Sequence, residues 1–160
     1  MSLVPDCQRI SNSSLGQELE LDECKVLAGV MSAVSLKKGE TLASRGDKNT
    51  ALYLLVEGKL DVISEVEGED KTVYTMVPGE CSGTRAFVDR NSRKATLKAT
   101  VDSVVYSMVP DKFETLLDSH PRVVYKVMRA IFRITHKNLM KMNMESQQLA
   151  NYISKSGGRY

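Results

Sequence analysis

Pro78-Gly-Glu-Cys-Ser-Gly-Thr-Arg-Ala-Phe-Val-Asp-Arg-Asn-Ser-Arg-Lys-Ala-Thr-Leu-Lys-Ala99 is the stretch on which the reading of this chain turns. A glycine-permitted turn at Gly83 presents successive backbone amides, and residues 84–88 have the length of one helical turn, which together make a cradle for an anion. Arg93 follows ten residues after Gly83, at the edge of a strand-like run beginning at Thr96. A tight return of the chain then sets its guanidinium beside those amides as a bidentate partner for phosphate. The alternative for Arg93 is a surface pair with Asp89.

Around this stretch, from Met31 to Val109, short β-branched and aromatic runs alternate with turn residues at Gly39, Gly46-Asp47, Glu57-Gly58, Glu67-Gly68, Pro78-Gly79 and Asn91-Ser92. Turn signals about every 8–12 residues predict an antiparallel sandwich or barrel rather than βαβ units. Residues 51–56 read as a strand buried on both faces, residues 59–64 and 71–77 as one-sided strands, and residues 96–99 and 103–109 close the set. Residues 111–117 predict a short amphipathic helix. Pro121 then opens a helix that meets no further proline or glycine before Gly157, allowing up to about nine turns. His120 is placed to cap it, and His136 falls on its exposed side.

That helix carries two apolar stripes. Val124, Val127, Ile131 and Ile134 suit packing on the β core; Tyr125, Met128, Phe132, Thr135, Leu139, Met142, Ser146, Leu149 and Ile153 alternate by three and four, as a two-fold seam between subunits requires. A single broad intramolecular face is the other reading. Upstream, Asp22 is a candidate cap for a short helix running through Leu27.

Length and composition set the bounds. The chain has 160 residues, 42% hydrophobic and 26% charged, which fits one globular core and no extended disorder. Cys7, Cys24 and Cys81 are odd in number and widely spaced, so no disulfide framework or zinc site is expected. No basic segment followed by an apolar stretch opens the sequence and no apolar run is long enough to cross a bilayer, which predicts a cytoplasmic protein without a transmembrane segment. Charge is split: residues 1–120 hold 14 Lys/Arg against 19 Asp/Glu, residues 121–160 hold 8 against one. The basic helix, with Arg122, Lys126, Arg129, Arg133, Lys137 and Lys141, therefore admits contact with nucleic acid or an acidic membrane, or is a solvated face opposite a seam.

Three other motifs carry less. Gly79-Glu-Cys81-Ser-Gly83 spells a nucleophile elbow, which needs a parallel sheet and a positioned histidine, and neither is expected; no catalytic residue and no metal ligand is assigned. Arg45-Gly46-Asp47 and Asn12-Ser13-Ser14 spell extracellular motifs and read as a turn and a coincidence.

The spacing in residues 78–99 resembles the phosphate-binding cassette of the cyclic nucleotide-binding domain family, in which Gly-Glu-x-x-Gly-Glu-x-Ala-Leu leads to Arg-x-Ala-Thr. Gly79, Glu80, Gly83, Ala86, Phe87, Arg93, Ala95 and Thr96 fall on matching positions. Residues 38–40, 45–47, 51–55 and 57–62 are similar to the family's turn glycines and its Tyr-x-x-x-x-x-Gly strand pair, so the likeness spans residues 22–150. The resemblance implies a mainly β fold: an antiparallel double-stranded β-helix, the jelly-roll β-roll, followed by a short helix and a long C-terminal helix. It implies a lead-in over 1–21, loosely ordered, the ligand domain over 22–120, a dimerising helix over 121–154 and a flexible tail over 155–160.

The implied ligand is cyclic AMP, cyclic GMP or a related phosphorylated small molecule, bound by Gly83, Thr84, Arg85, Ala86, Arg93, Lys94, Ala95 and Thr96. Leu97 and Ala99 are expected to be filler of the roll, and Lys94 to be either solvated or facing the base. At the position where the family carries a glutamate that accepts from the ribose 2′-hydroxyl, this chain has Thr84. Loss of such a charge-assisted bond is worth about 1.5–3 kcal/mol, which Arg85 or Glu80 is placed to offset. The opposite reading is a degenerate, ligand-free dimeric interaction module. In the family's transcription regulators a helix-turn-helix domain follows the long helix; the few residues after Ala150 are too short for one, so no DNA-binding domain is expected.

Overall fold

A computed structural model describes residues 4–157. Two short helices, α1 (Cys7–Ser11) and α2 (Leu21–Ala28), lead into the strands β1 (Ser32–Leu36), β2 (Thr41–Ala43), β3 (Leu52–Glu57), β4 (Leu60–Val66), β5 (Glu69–Met76) and β6 (Cys81–Ser82). Then come α3 (Thr84–Asp89), β7 (Thr96–Ala99), β8 (Ser103–Met108), α4 (Pro110–Glu114), α5 (Leu116–Ser119) and α6 (Pro121–Gly157). The strands form two four-stranded antiparallel sheets, ordered β1-β8-β3-β6 and β2-β7-β4-β5. This is the β-roll that the turn spacing and the resemblance imply.

Two apolar clusters explain why residues 51–56 are hydrophobic without alternation. Tyr53 and Leu55 of β3 join Leu36 and Val105 and face Leu60, Met76, Leu97 and Ala99 of the other sheet, filling the roll. Leu52 and Leu54, together with Tyr106 and Met108, point the opposite way into a second cluster with the helices. A period-2 strand with a sheet on one side and helices on the other is apolar on both faces. The β4–β5 hairpin reaches beyond this core: β5 is exposed except at Met76.

The lead-in is where the structure departs most from the sequence expectation. Residues 4–21 are not a loose segment: Ile10 and Leu15 are buried with Leu19 in the helix-side cluster. The amide of Ser14 donates to the Gly79 carbonyl at 2.9 Å, its hydroxyl donates to the same oxygen, and the Asp6 amide donates to the Tyr106 hydroxyl. The cap of α2 also differs: Glu20 is the N-cap, and its amide donates to the Glu23 carboxylate at 3.0 Å, while Asp22 lies inside the first turn.

The helical region after β8 breaks once more than expected. Thr115 divides residues 111–117 between α4 and α5, because its hydroxyl donates to the Lys112 carbonyl at 2.6 Å and competes with helical bonding. His120 supplies the carbonyl that caps α6, accepting from the Val123 amide. Helix α6 runs to Gly157, past the expected end at 154, so residues 155–157 are helical and not a tail; residues 158–160 lie outside the described residues. Its inner stripe, Val123, Val124, Val127, Ala130 and Ile131, is buried against the helix-side cluster, with Ile134 half-buried. The outer stripe, including Tyr125, Phe132, Leu149 and Ile153, is exposed, and the side chain of Met142 lies outside the described set.

Ion pairs bind the start of the chain to α6. Glu18 accepts from Arg129 at 3.1 Å and Arg133 at 2.7 Å, and Lys126 reaches Glu23 at 2.6 Å. The Lys126 ammonium and then the Glu20 amide hold the Glu23 carboxyl below the usual glutamate range. A carboxyl whose pKa is depressed on folding stabilises the fold above its ordinary value, and that contribution is lost as pH falls through the depressed one. Glu23→Gln is therefore expected to reduce unfolding stability by about 1 kcal/mol at neutral pH, with the gap from wild type closing below about pH 4. Urea unfolding across pH checks this.

Candidate functional site

Residues 78–99 build a hollow at one end of the roll. The amide of Gly79 donates to the Leu55 carbonyl at 2.8 Å and the Leu55 amide to the Glu80 carbonyl at 3.0 Å, while β6 pairs Ser82 with Tyr53 and Cys81 with Leu54. Gly83 turns the chain with a φ of +91°, a conformation strained for any side chain, and an added Cβ would stand 3.0 Å from the Ala51 carbonyl and against the Arg93 guanidinium. Helix α3 follows at once. Its buried Ala86 and Phe87 anchor it, with the Phe87 ring 5.5 Å from that of Phe113.

Arg93 is fixed at both ends. Its amide donates to the Asp47 carbonyl at 2.9 Å and its carbonyl accepts from the Gly46 amide at 2.8 Å, so its side chain enters the protein and is only 4% exposed. Nη2 donates to the Ala51 carbonyl, and the guanidinium lies 4.7 Å over the Tyr53 ring, whose hydroxyl accepts from Asn49 at 2.6 Å. Nε and Nη1 are buried with no hydrogen-bond partner among the described residues. Burial lowers the pKa of the group, offset in part by Tyr53 and Asp47. A surface pair with Asp89 is thereby excluded. A desolvated guanidinium with two nitrogens unsatisfied, beside a glycine turn, is built for an oxyanion.

The hollow has a volume of about 430 Å³ and is lined by Ser82, Gly83, Thr84, Arg85 and Ala86 on one side and by Ser92, Arg93, Lys94 and Ala95 on the other. Val62 and Leu97 of the second sheet also line it, and Thr135, Asn138 and Leu139 of α6 lie over it. Seven of the eight site residues expected from sequence thus come together. Thr96 does not line it: its hydroxyl accepts from the Arg45 amide at 3.0 Å and belongs to the β2–β7 edge. Leu97, expected only as filler, fills the roll and also lines the hollow, whereas Ala99 stays in the core. The α6 residues carried no signal of their own, because Thr135 and Leu139 read as seam positions and Asn138 falls on neither apolar stripe.

Two further residues have clear places. Glu80 does not line the hollow; its carboxylate accepts from the Val77 amide at 2.8 Å and from the Tyr74 hydroxyl, holding the turn. Cys81 sits behind the turn with the Ser14 hydroxyl 3.7 Å from its sulfur, and burial pushes its thiol up to about 12, the wrong direction for a nucleophile. Burial likewise raises the Cys24 thiol.

Fold and site together define a β-roll with an enclosed arginine and a glycine turn aimed at a small phosphorylated ligand. The sequence matches the model of the cyclic nucleotide-binding domain over residues 33–120, and the chain belongs to that family. It is 25% identical over 108 residues to a cGMP-dependent protein kinase of Plasmodium berghei, an alignment covering 68% of this chain and 12% of the kinase. It is also 25% identical over 97 residues to a cyclic AMP receptor protein of Thermus thermophilus, covering 60% of this chain and 45% of the receptor. The chain thus spans less than half the length of either relative. Among solved structures, a cyclic nucleotide-binding domain from Methylobacillus flagellatus superposes with a TM-score of 0.77 over 84% of this chain and 76% of that one, at 18% identity.

Proposed function

We propose that this chain is a regulatory module whose β-roll binds a cyclic nucleotide of the cyclic AMP or cyclic GMP type or a related phosphorylated small ligand, and whose long helix passes occupancy to a second copy of itself. The observation that carries the reading is Arg93, enclosed with Nε and Nη1 unpartnered beside the Gly83 turn. A cyclic phosphate carries one negative charge, and bonds from these two nitrogens supply the partners that burial denies them. The ligand body then lies between Val62, Leu97 and α6.

Output runs through α6. Thr135 stands 3.3 Å, hydroxyl to hydroxyl, from Thr84 in α3, so a shift of the cassette is felt directly by the helix. On the outer face of α6, Tyr125, Met128 and Phe132, flanked by Arg129 and Arg133, line an apolar groove of about 450 Å³ that suits the same stripe of a second copy. In this reading residues 22–120 are the sensor and α6 the output, and the module is cytoplasmic and regulatory; no described helix is long and apolar enough to cross a membrane.

Thr84 in place of a glutamate favours the ligand-free scaffold as a second reading, against which the unsatisfied nitrogens of Arg93 weigh. Attachment through the basic helix is weakened because Lys126, Arg129 and Arg133 already face Glu23 and Glu18, and Lys141 lies 5.4 Å over the Tyr74 ring. Calorimetric titration of the full chain with cyclic AMP and cyclic GMP, alongside sedimentation with and without ligand, tests the proposal. Saturable binding by a dimer is the expected result. Silence from both nucleotides in a folded sample would overturn the sensor, and a monomer at all concentrations the output.

A further inference from the structure

The charges around the hollow do not balance for a simple cyclic monophosphate. Arg85, Arg93 and Lys94 line it, and no aspartate or glutamate does so among the described residues. Of the acids close by in sequence or contact, Glu80 is committed to the Val77 amide and Tyr74 and Asp47 to the Ser44 amide at 2.8 Å, while Asp89, at the end of α3, is exposed and does not line the hollow. Arg85 and Lys94 form no ion pair among the described residues, whereas Arg90 of the same loop is paired with Asp111 and Glu114. One negative charge on the ligand would satisfy the buried Arg93 and leave Arg85 and Lys94, both exposed at the mouth of the hollow, free to receive a further anionic group.

The polar groups next to Arg85 point the same way. Thr84 begins α3 and its hydroxyl lies 3.3 Å from that of Thr135, whose own proton goes to the Ile131 carbonyl at 2.9 Å, so among the described residues the Thr84 hydroxyl is the one left to donate into the hollow. A hydroxyl donates to an anionic oxygen as readily as it accepts, which a carboxylate cannot do. A donating hydroxyl at Thr84 next in sequence to the Arg85 guanidinium, which forms no ion pair among the described residues, is therefore a receptor for a second anionic group and a poor discriminator for a sugar hydroxyl.

Resting on the reading of this hollow as a cyclic nucleotide site, we infer that its ligand carries a second negative charge on the sugar side of the phosphate, where Thr84 and Arg85 receive it, in place of a free 2′-hydroxyl. The ligand class is a nucleotide with two anionic groups, the ring phosphate at Arg93 and a phosphate or carboxylate attached near the 2′ position.

Four probes titrated calorimetrically into the full chain test this: cyclic AMP, 2′-deoxy cyclic AMP, 2′-O-succinyl cyclic AMP with its free carboxylate, and 2′-O-butyryl cyclic AMP as a neutral acyl control. The deoxy compound is expected to match cyclic AMP within about twofold. The succinyl compound is expected to bind about tenfold more tightly than the butyryl one, an advantage that falls as salt rises and disappears in Arg85→Gln. Thr84→Glu, which places a carboxylate at the same spot, is expected to reverse the order and favour cyclic AMP over both its deoxy and its succinyl derivative. A deoxy compound about tenfold weaker than cyclic AMP, or a succinyl compound no tighter than the butyryl one, would overturn the inference. If cyclic AMP binds in an Arg93-dependent way while the succinyl group gains nothing, only this inference falls; if none of the four binds, the reading of the hollow falls with it.

Discussion

Arg93→Ala is expected to weaken cyclic nucleotide binding by about 100-fold or more while leaving the fold within about 1 kcal/mol of wild type. Each bond between a charged donor and a phosphate oxygen is worth about 1.5–3 kcal/mol, and 2.7 kcal/mol corresponds to about 100-fold in affinity. Arg93 has two nitrogens free to make such bonds. On the folding side two effects oppose each other. The alanine variant loses the bond to the Ala51 carbonyl and the contact with the Tyr53 ring, the second worth about 0.5–2 kcal/mol. It also removes a cation held in the interior at a desolvation cost that shows in its lowered pKa. Calorimetry and urea unfolding on the same preparation separate the roles. Unchanged binding, or a fold weakened by more than about 2 kcal/mol, would make Arg93 a structural residue.

Ile10→Ala is expected to reduce unfolding stability by about 2–5 kcal/mol, the range for truncating a large aliphatic side chain in a packed core. Ile10 has no exposed surface and belongs to the same cluster as Leu54, Phe113 and Val127. Were residues 4–21 a loose lead-in, the change would stay within about 0.5 kcal/mol, as at ordinary surface sites. Denaturant unfolding with an unchanged m-value decides between the two; a shift under about 1 kcal/mol would detach the segment from the core.

What was legible in the sequence, and what was not, follows from how far apart the interacting residues lie. Turn residues and strand-like runs are local, so the roll and its cassette could be traced, and the lack of proline or glycine between Pro121 and Gly157 sufficed for α6. Docking of the first segment could not be traced: Ile10, Leu15 and Leu19 follow neither the period of a strand nor that of a long helix, and their partners lie as far along the chain as Val127. In the site, spacing brought Arg93 to the Gly83 turn. It gave no sign that the Ala51 carbonyl takes one guanidinium nitrogen, that Glu80 turns to Tyr74, or that Thr135 and Asn138 arrive from α6. Those contacts depend on tertiary packing of elements whose local pattern says only strand or helix.

The withdrawn thiols have a practical consequence for following the helix in solution. Cys24 and Cys81 are held in their protonated form, so alkylating dyes meet little competition from either. With Cys7 replaced by serine, a cysteine introduced at exposed Leu149 becomes the preferred attachment point for a fluorophore, and the protein needs no wholesale removal of sulfur before α6 is watched by optical means.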